Sequence, residues 1–264
     1  MPHRSGLADT LYPWLLGRLT VASWRPIFIG INGPQGCGKS TLARQLVAMA
    51  AAENRRWIDI SIDDFYLTRA EQERVAAAFP GDPLLAVRGA PGTHDLRLGN
   101  ETLAGLRRTG PRIALPTYDK GAHGGLGDRQ PRTAWREVDL PVDLVLFEGW
   151  MLGFPPVGRG LSDGALATVD ALLADYAAWD ENLHAMIQLR VEDPATIVRW
   201  RVEAEARRRA AGEGGMSDAE ALAYIGRFLP FYEVYPAALA ARPPVPDWHR
   251  VVWLDPERRP KGGN

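Results

Sequence analysis

The sequence predicts an α/β fold in which helices cover both faces of a mostly parallel sheet. Short apolar runs such as 27–31 and 142–147 alternate with longer segments of helical periodicity, and strands joined by helical crossovers pair in parallel. With 264 residues, 46% of them hydrophobic, the chain can bury one large core, and it has no internal repeat or low-complexity linker. We therefore expect one domain over 25–254, an N-terminal helix within 1–24 packed on it, and a loose polar tail over 255–264.

Each element is predicted from its local pattern. Apolar, β-branched runs predict strands, and amphipathic segments predict helices, one of them capped by Asp95. Clusters of Pro and Gly mark the loops between them. The predicted strands span 27–31, 57–62, 112–115, 142–147, 186–191 and 251–254. The predicted helices span 7–23, 39–52, 69–79, 95–108, 166–183, 194–211 and 218–229.

A glycine-rich segment follows the first strand and opens into a helix. Gly33, Gly38, Lys39 and Ser40 match the Walker A pattern G-x-x-x-x-G-K-[ST] in its strand–loop–helix context. The glycines let backbone N–H groups surround an anion, and the helix adds its positive N-terminal end. We expect Lys39 to reach the β- and γ-phosphates and Ser40 to bind Mg²⁺. The predicted nucleotide-binding residues are Gly33, Pro34, Gln35, Gly36, Cys37, Gly38, Lys39, Ser40 and Thr41.

Composition narrows the class of protein and its partners. The net charge of −1 and the pI of about 6.5 do not favour binding to nucleic acid or to an anionic membrane. The sequence contains no apolar run of about 20 residues and no signal-peptide pattern. Cys37 is the single cysteine, which fits a reducing compartment. We expect a cytoplasmic protein, a monomer or homodimer, that acts on a small molecule.

Cys37 also lies inside the predicted phosphate loop. Nearby N–H groups and a lysine would lower the pKa of its thiol and make it reactive toward alkylation or oxidation. The alternative is a small, tolerated loop residue with no regulatory role.

Acidic side chains follow two predicted strands. Asp63 and Asp64 end the second strand, and Glu148 ends the buried strand 142–147. The carboxyl ends of parallel strands form the ligand-binding edge of an open α/β sheet. We assign Asp63 as the base that orients an acceptor hydroxyl, the alternatives being Asp64 in that role or a carboxylate that merely caps the next turn. Glu148 is predicted to hold Mg²⁺ with Ser40, although a solvent-facing strand end is possible.

The loops within 80–131 concentrate basic side chains. These hydrogen-bond donors suit an anionic acceptor. The alternative is a solvent-exposed loop whose scattered charges bind no ligand. Lys120 favours function, because the chain has only three lysines beside 28 arginines and a lysine supplies a compact point charge. The basic residues are Arg88, His94, Lys120, His123 and Arg129.

The segment 194–216 combines an arginine-rich helix with glycines. Arg201, Glu205 and Arg209 recur at every fourth position on one helix face. One interpretation is a lid whose arginines neutralise charge on a transferred phosphoryl group. The other is a surface helix with ion pairs such as Glu203–Arg207.

Together these motifs resemble the D-glycerate 3-kinase family, within a wider group of P-loop kinases that includes uridine kinase, phosphoribulokinase and pantothenate kinase. The resemblance extends over nearly the whole chain, from about Pro26 to Leu239. Segments 119–129 and 147–154 resemble the glycerate kinase branch specifically. The motifs that carry the resemblance are 33–41, Ser-Ile-Asp-Asp-Phe-Tyr at 61–66, 88–96, Pro-Thr-Tyr-Asp-Lys at 116–120, and 145–154.

The resemblance implies a P-loop NTPase fold with a five-stranded parallel sheet, and ATP as phosphoryl donor. It implies Asp63 as base, with Glu148 near Mg²⁺. The catalytic candidates are Lys39, Asp63, Arg201 and Arg209, the last two in the lid. The substrate-binding candidates are Arg88, His94, Asp95, Tyr118, Lys120, His123 and Arg129. The sequence departs from the family pattern at Thr117 and Glu213, where a basic residue and a lysine are expected, and both departures bear on substrate choice.

Three functions remain open from the sequence. The first is phosphorylation of D-glycerate at its 3-hydroxyl. The second is the same chemistry on another small hydroxyl compound, such as a nucleoside, a sugar or a pantothenate-like acid. The third is an NTPase switch that acts on a macromolecule. A GTPase would carry an Asn-Lys-x-Asp element, which is absent, and a translocase would carry a basic nucleic-acid track.

Overall fold

The computed structural model describes residues 6–22, 24–158, 161, 164–212 and 215–261. Within them the predicted α/β class is confirmed. A five-stranded, all-parallel sheet forms the centre of the molecule, and helices flank both of its faces. Glu213, one of the two departures from the family pattern, lies outside the described residues.

The elements are numbered in chain order. The strands are β1 Ile27–Asn32, β2 Trp57–Ser61, β3 Arg112–Leu115, β4 Tyr118–Asp119, β5 Asp128–Arg129, β6 Arg136–Asp139, β7 Leu144–Gly149, β8 Ala185–Arg190 and β9 His249–Trp253. The helices are α1 Leu7–Val21, α2 Lys39–Ala52, α3 Arg69–Ala78, α4 Leu96–Leu106, α5 Gly164–Leu173, α6 Ala177–Asp180, α7 Ala195–Ala210, α8 Asp218–Gly226 and α9 Leu229–Ala241.

The strand order β2-β7-β1-β8-β9 places the two most apolar strands side by side at the centre. Every residue of β1 and β7 is buried. Because side chains alternate along a strand, Phe28 belongs to one core and its neighbours Ile27 and Ile29 belong to the other. Burial on both faces explains why these strands are continuous apolar runs. Because β2, β7 and β1 are parallel neighbours, their carboxyl ends lie at one edge of the sheet.

The N-terminal helix α1 packs against the sheet and α2. Leu11, Leu15 and Leu19 of α1 are buried in the same core as α2, at the spacing of one helix face. Arg18 reaches across and donates from its Nε to the carbonyl of His184 at 2.9 Å. This helix therefore covers the α2 side of the sheet.

Two predicted elements differ in the structure. Residues 112–115 do form a strand, but β3 is only partly buried and pairs antiparallel with β6 in a separate two-stranded ribbon outside the parallel sheet. The helix predicted over 166–183 is divided into α5, a 3₁₀ turn at Ala174–Tyr176 and α6.

Helix α9 and the C-terminal segment 255–261 differ from what the sequence pattern predicts. Pro230 and Pro236 lie within or at the start of α9, and both resemble helix breakers. The tail is not loose over residues 255–261. Arg258 donates to the carbonyl of Gly36 at 2.8 Å and to Glu203 at 2.9 Å, so the segment is attached to the phosphate loop and to α7.

Candidate functional site

The phosphate loop has the conformation that its glycines predict. Gly36 and Gly38 have positive φ angles of 78° and 98°, which favour glycine. A side chain at Gly36 would also lie 2.9 Å from the backbone of Trp200. Gly38 is the N-cap of α2, so the N-terminus of the helix faces the loop. Lys39 folds over the loop and donates from Nζ to the carbonyls of Gly33 at 2.9 Å and Pro34 at 3.2 Å.

Of the two interpretations of Cys37, the structure agrees with the small loop residue and contradicts the reactive thiol. The side chain is 3% exposed and packs in the core with α1 and α2. Burial raises the pKa of the Cys37 thiol, and the opposing charge of Lys39 is the smaller effect. The Cys37 thiol is therefore a buried packing group of the loop.

A hydroxyl and a carboxylate converge at the start of α2. Ser40 donates from Oγ to Oε1 of the buried Glu148 at 2.7 Å. Within the described ranges no cluster of three or more His, Cys, Asp or Glu could hold a metal ion. Mg²⁺ uses only one or two protein oxygens when substrate phosphates and water complete its shell, and this pair fits that requirement.

The two aspartates after β2 have different surroundings. They lie in a 3₁₀ turn, Ile62–Phe65, in which Asp64 accepts a hydrogen bond from the Ser61 N–H at 3.1 Å and so caps the turn. Asp63 instead faces a cavity and accepts a hydrogen bond from Lys120 Nζ at 2.5 Å. The capping alternative therefore applies to Asp64, and Asp63 is the carboxylate available to a ligand.

The pKa values of the pair move in opposite directions. Burial alone would raise the pKa of Asp63, but the charge of Lys120 and hydrogen bonds from Lys120 and Tyr66 hold it well below its usual range. Burial raises the pKa of Asp64 to about 6, and the charge of Asp63 adds to this rise. Asp63 is thus ionised at neutral pH and suited to accept a hydrogen bond from a hydroxyl.

Two cavities meet at the phosphate loop. The first, of about 1270 Å³, extends past Thr41 toward the start of α1 and the turn that follows β9. The second, of about 1050 Å³, is bounded by Asp63, the loop after β4, and the helices α7 and α8. The residues that line both are Gly36, Lys39, Ser40, Ala204, Arg208 and Lys120. A nucleotide in the first cavity would therefore present its terminal phosphate to the second.

Three of the predicted substrate-binding residues line the second cavity. They are Arg88, Tyr118 and Lys120. Arg88 donates to the carbonyls of Gly125 at 2.8 Å and of Leu126, and its guanidinium lies 5.6 Å from the Tyr118 ring centroid. Arg88 therefore holds the loop that carries Lys120, whose side chain is 45% exposed to the cavity.

The other four candidates do not line that cavity. Asp95 caps α4, as predicted, and pairs with Arg129 at 3.1 Å, while Arg129 also donates to the carbonyl of Tyr66. His123 lies at the surface and contacts Asp128 at 3.2 Å. His94 is stacked behind Tyr66 with ring centroids 4.6 Å apart, and burial lowers the pKa of His94 to about 4, so it is not the charged donor that the sequence suggested.

The two lid arginines separate as well. Arg201 lines the second cavity and is bound to Glu205 at 2.6 Å. Arg209 points instead to the start of α8, where it pairs with Asp218 at 2.6 Å and donates to the carbonyl of Met216. The surface pair Glu203–Arg207 also forms, at 3.4 Å. The helix thus carries both the surface pairs and arginines that line the cavity, Arg201 and Arg208.

Sequence reasoning missed several residues that line the second cavity. Tyr66, Trp150, Tyr224 and Arg227 all do so. Tyr66 and Trp150 lie in the family motifs 61–66 and 145–154, so their place in a motif could have identified them as site residues. Tyr224 lies on α8 and Arg227 is the residue that ends it; an aromatic residue and an arginine three positions apart resemble any exposed helix face.

Comparisons with known proteins give relatives and solved structures, although no protein-family model matches the chain. Over 245 residues the chain is 40% identical to "D-glycerate 3-kinase, chloroplastic" of Arabidopsis thaliana, covering 89% of this chain and 54% of that protein. It is 34% identical over 250 residues to "Uncharacterized kinase mug58" of Schizosaccharomyces pombe, covering 89% and 90%. This chain therefore spans about half the length of the Arabidopsis relative and most of the fission-yeast one.

A solved structure, D-glycerate 3-kinase from Cryptococcus neoformans var. grubii, superposes with a TM-score of 0.88. The two share 27% sequence identity, and the match covers 98% of both chains. The likeness thus includes the loops and helices around both cavities as well as the sheet. In the part of the chain that the structure describes, no helix has the length and hydrophobicity needed to span a bilayer.

Proposed function

This chain belongs to the D-glycerate 3-kinase family of P-loop kinases, and we propose that it transfers the γ-phosphoryl group of Mg-ATP to the 3-hydroxyl of D-glycerate. The observation that carries the proposal is the position of Asp63: an ionised carboxylate, paired with Lys120, in a cavity that shares Lys39 and Ser40 with the phosphate loop. A relative named for D-glycerate at 40% identity supports the acceptor.

The chemistry follows from the residues present. Asp63 accepts a hydrogen bond from the acceptor hydroxyl and then its proton, as the hydroxyl oxygen bonds to the γ-phosphorus and the bond to ADP breaks. Lys120 fixes the direction of the Asp63 carboxylate. Lys39 contacts the β- and γ-phosphates, and it exchanges its two carbonyl partners for phosphate oxygens when nucleotide binds.

Magnesium fits the same site. Ser40 and Glu148 would hold it, and it would supply positive charge that neutralises the phosphates. Glu148 is buried with its carboxylate directed to the Ser40 hydroxyl, so a cation there also compensates a buried negative charge.

The lid would close over the reaction. Gly212, which follows α7, and Gly215, which precedes α8, have positive φ angles, and glycine at such positions can serve as a hinge residue. On closure, Arg201 is the arginine placed to contact the transferred phosphoryl group. Arg209 does not line the cavity; it binds Asp218 and the carbonyl of Met216 at the start of α8.

An acceptor panel tests the proposal. Purified protein with Mg-ATP is offered D-glycerate, L-glycerate, glycerol, pantothenate and uridine, and ADP release is measured. We expect turnover with D-glycerate well above the other compounds. If only uridine or pantothenate is phosphorylated, that compound is the acceptor and D-glycerate is not. ATP hydrolysis that none of the acceptors stimulates would refute the kinase proposal. A cytoplasmic location, a monomeric or dimeric state and the lack of a nucleic-acid partner remain predictions.

A further inference from the structure

The second cavity is rich in basic side chains. Besides Lys39 and Lys120, it is lined by Arg88, Arg201, Arg208 and Arg227, and Arg208 lies 4.0 Å from Glu205. Most of these charges are already used by the protein. Lys120 pairs with Asp63, and Arg201 pairs with Glu205, a carboxylate that is 2% exposed. Arg88 is held by backbone carbonyls.

Arg227 is different. Over the described ranges 6–22, 24–158, 161, 164–212 and 215–261, no carboxylate lies within ion-pair distance of its guanidinium, which contacts the ring of Tyr224 at 5.3 Å. Arg201 approaches the same ring at 4.6 Å. One tyrosine ring thus orients two guanidinium groups at the cavity, and only one of them has a protein counter-ion.

Arg227 lines the same cavity as the reacting groups. Asp63, Lys120 and Tyr224 line it as well, and so does Arg201, which shares the Tyr224 ring with Arg227. Arg227 therefore lies in the cavity that holds the carboxylate that would receive the acceptor hydroxyl.

We propose that Arg227 binds the carboxylate of the acceptor acid, and that Tyr224 positions it. This inference rests on the proposed function, because it requires an acid as acceptor. The planar guanidinium can bind a carboxylate through two parallel hydrogen bonds. Arg129, which the sequence favours for this role, is committed to Asp95 and to the carbonyl of Tyr66.

Steady-state kinetics with an acid and its uncharged amide test the inference. D-glycerate and D-glyceramide are compared as acceptors for wild type, Arg227→Met and Arg227→Lys. For Arg227→Met we expect the D-glycerate KM to rise about 10- to 150-fold, with the ATP KM changed less than about twofold. The preference for acid over amide should fall by the same factor, and Arg227→Lys should recover part of it, because it keeps the charge without the fork.

Arg97→Met is the matched control, since Arg97 lies on α4 with a side chain 82% exposed and should leave both constants unchanged. Melting temperatures with and without ATP identify a variant that does not fold; Arg227→Gln then replaces Arg227→Met. If wild type phosphorylates D-glycerate and the variant keeps its acid KM and acid preference, the role of Arg227 is refuted while the proposed function stands. If wild type accepts only uncharged acceptors, both are refuted.

Discussion

Replacing Asp64 by Asn should stabilise the protein above neutral pH, although it removes a charge beside the active site. Asp64 caps the turn after β2 through the Ser61 N–H, and the side-chain oxygen of Asn can accept the same hydrogen bond. The ionised carboxylate, in contrast, is half-buried beside Asp63, and its pKa is raised from 3.8 to about 6. The substitution keeps the cap and removes the unfavourable charge.

The sign and size follow from linkage. Between pH 3.8 and about 6, the unfolded chain releases the Asp64 proton while the folded chain retains it, so wild type loses stability as the pH rises through that window. A full shift corresponds to roughly 3 kcal/mol at about 1.4 kcal/mol per pKa unit. Because solvent reaches part of the side chain, we expect about 1–2 kcal/mol above pH 7.

Urea unfolding of wild type and Asp64→Asn at several pH values between 4 and 8 measures the difference. It should be near zero at the acid end and grow to its full value above pH 6. Asp180, whose pKa burial raises to about 7, titrates in both proteins and cancels. The exposed Asp247 supplies the control, since Asp247→Asn removes a surface carboxylate and should change the free energy of unfolding by less than about 0.5 kcal/mol. A variant that is less stable than wild type by the same amount at every pH would refute the reasoning.

Three more predictions concern the site itself. Asp63→Asn keeps the shape and removes the base, so kcat should fall roughly 10²- to 10⁴-fold with ATP affinity little changed; a variant with wild-type kcat would move the base elsewhere. Lys39→Ala should lose the stabilisation by nucleotide, about 2.7 kcal/mol for wild type at a hundredfold excess over Kd, and an equal gain in the variant would place the phosphates away from the loop. Cys37 should react with iodoacetamide far more slowly in the folded protein than in urea, because its thiol is buried; equal rates would contradict the packing.

The phosphate loop and the carboxylates after β2 and β7 could be predicted from sequence because their structure is local. A glycine at a positive φ angle and an acid at a strand end are determined by a few neighbouring residues. Ser61 and Asp64 form such a local pair, and the capping alternative for Asp64 was open from the sequence.

The second cavity could not be predicted in the same way, because distant segments form it. Arg129 and His94 are residue types that often contact substrates. Inside the fold, however, Arg129 forms an ion pair with Asp95, and His94 stacks on Tyr66 and is hydrogen-bonded to Tyr176. Arg227 has no motif, and only the packing of α8 against α7 brings it to the cavity. Residue type gives the chemistry that a side chain can perform, but tertiary packing decides which of these side chains remain available to a ligand.

The identity of the phosphorylated product tests the central claim most directly. Purified protein is incubated with Mg-ATP and D-glycerate, and the product is resolved by ³¹P NMR against authentic 2- and 3-phosphoglycerate. We predict 3-phosphoglycerate, formed in an amount equal to the ADP released, and none with Asp63→Asn over the same time. ADP release without a phosphorylated glycerate, or 2-phosphoglycerate as the product, would contradict the account.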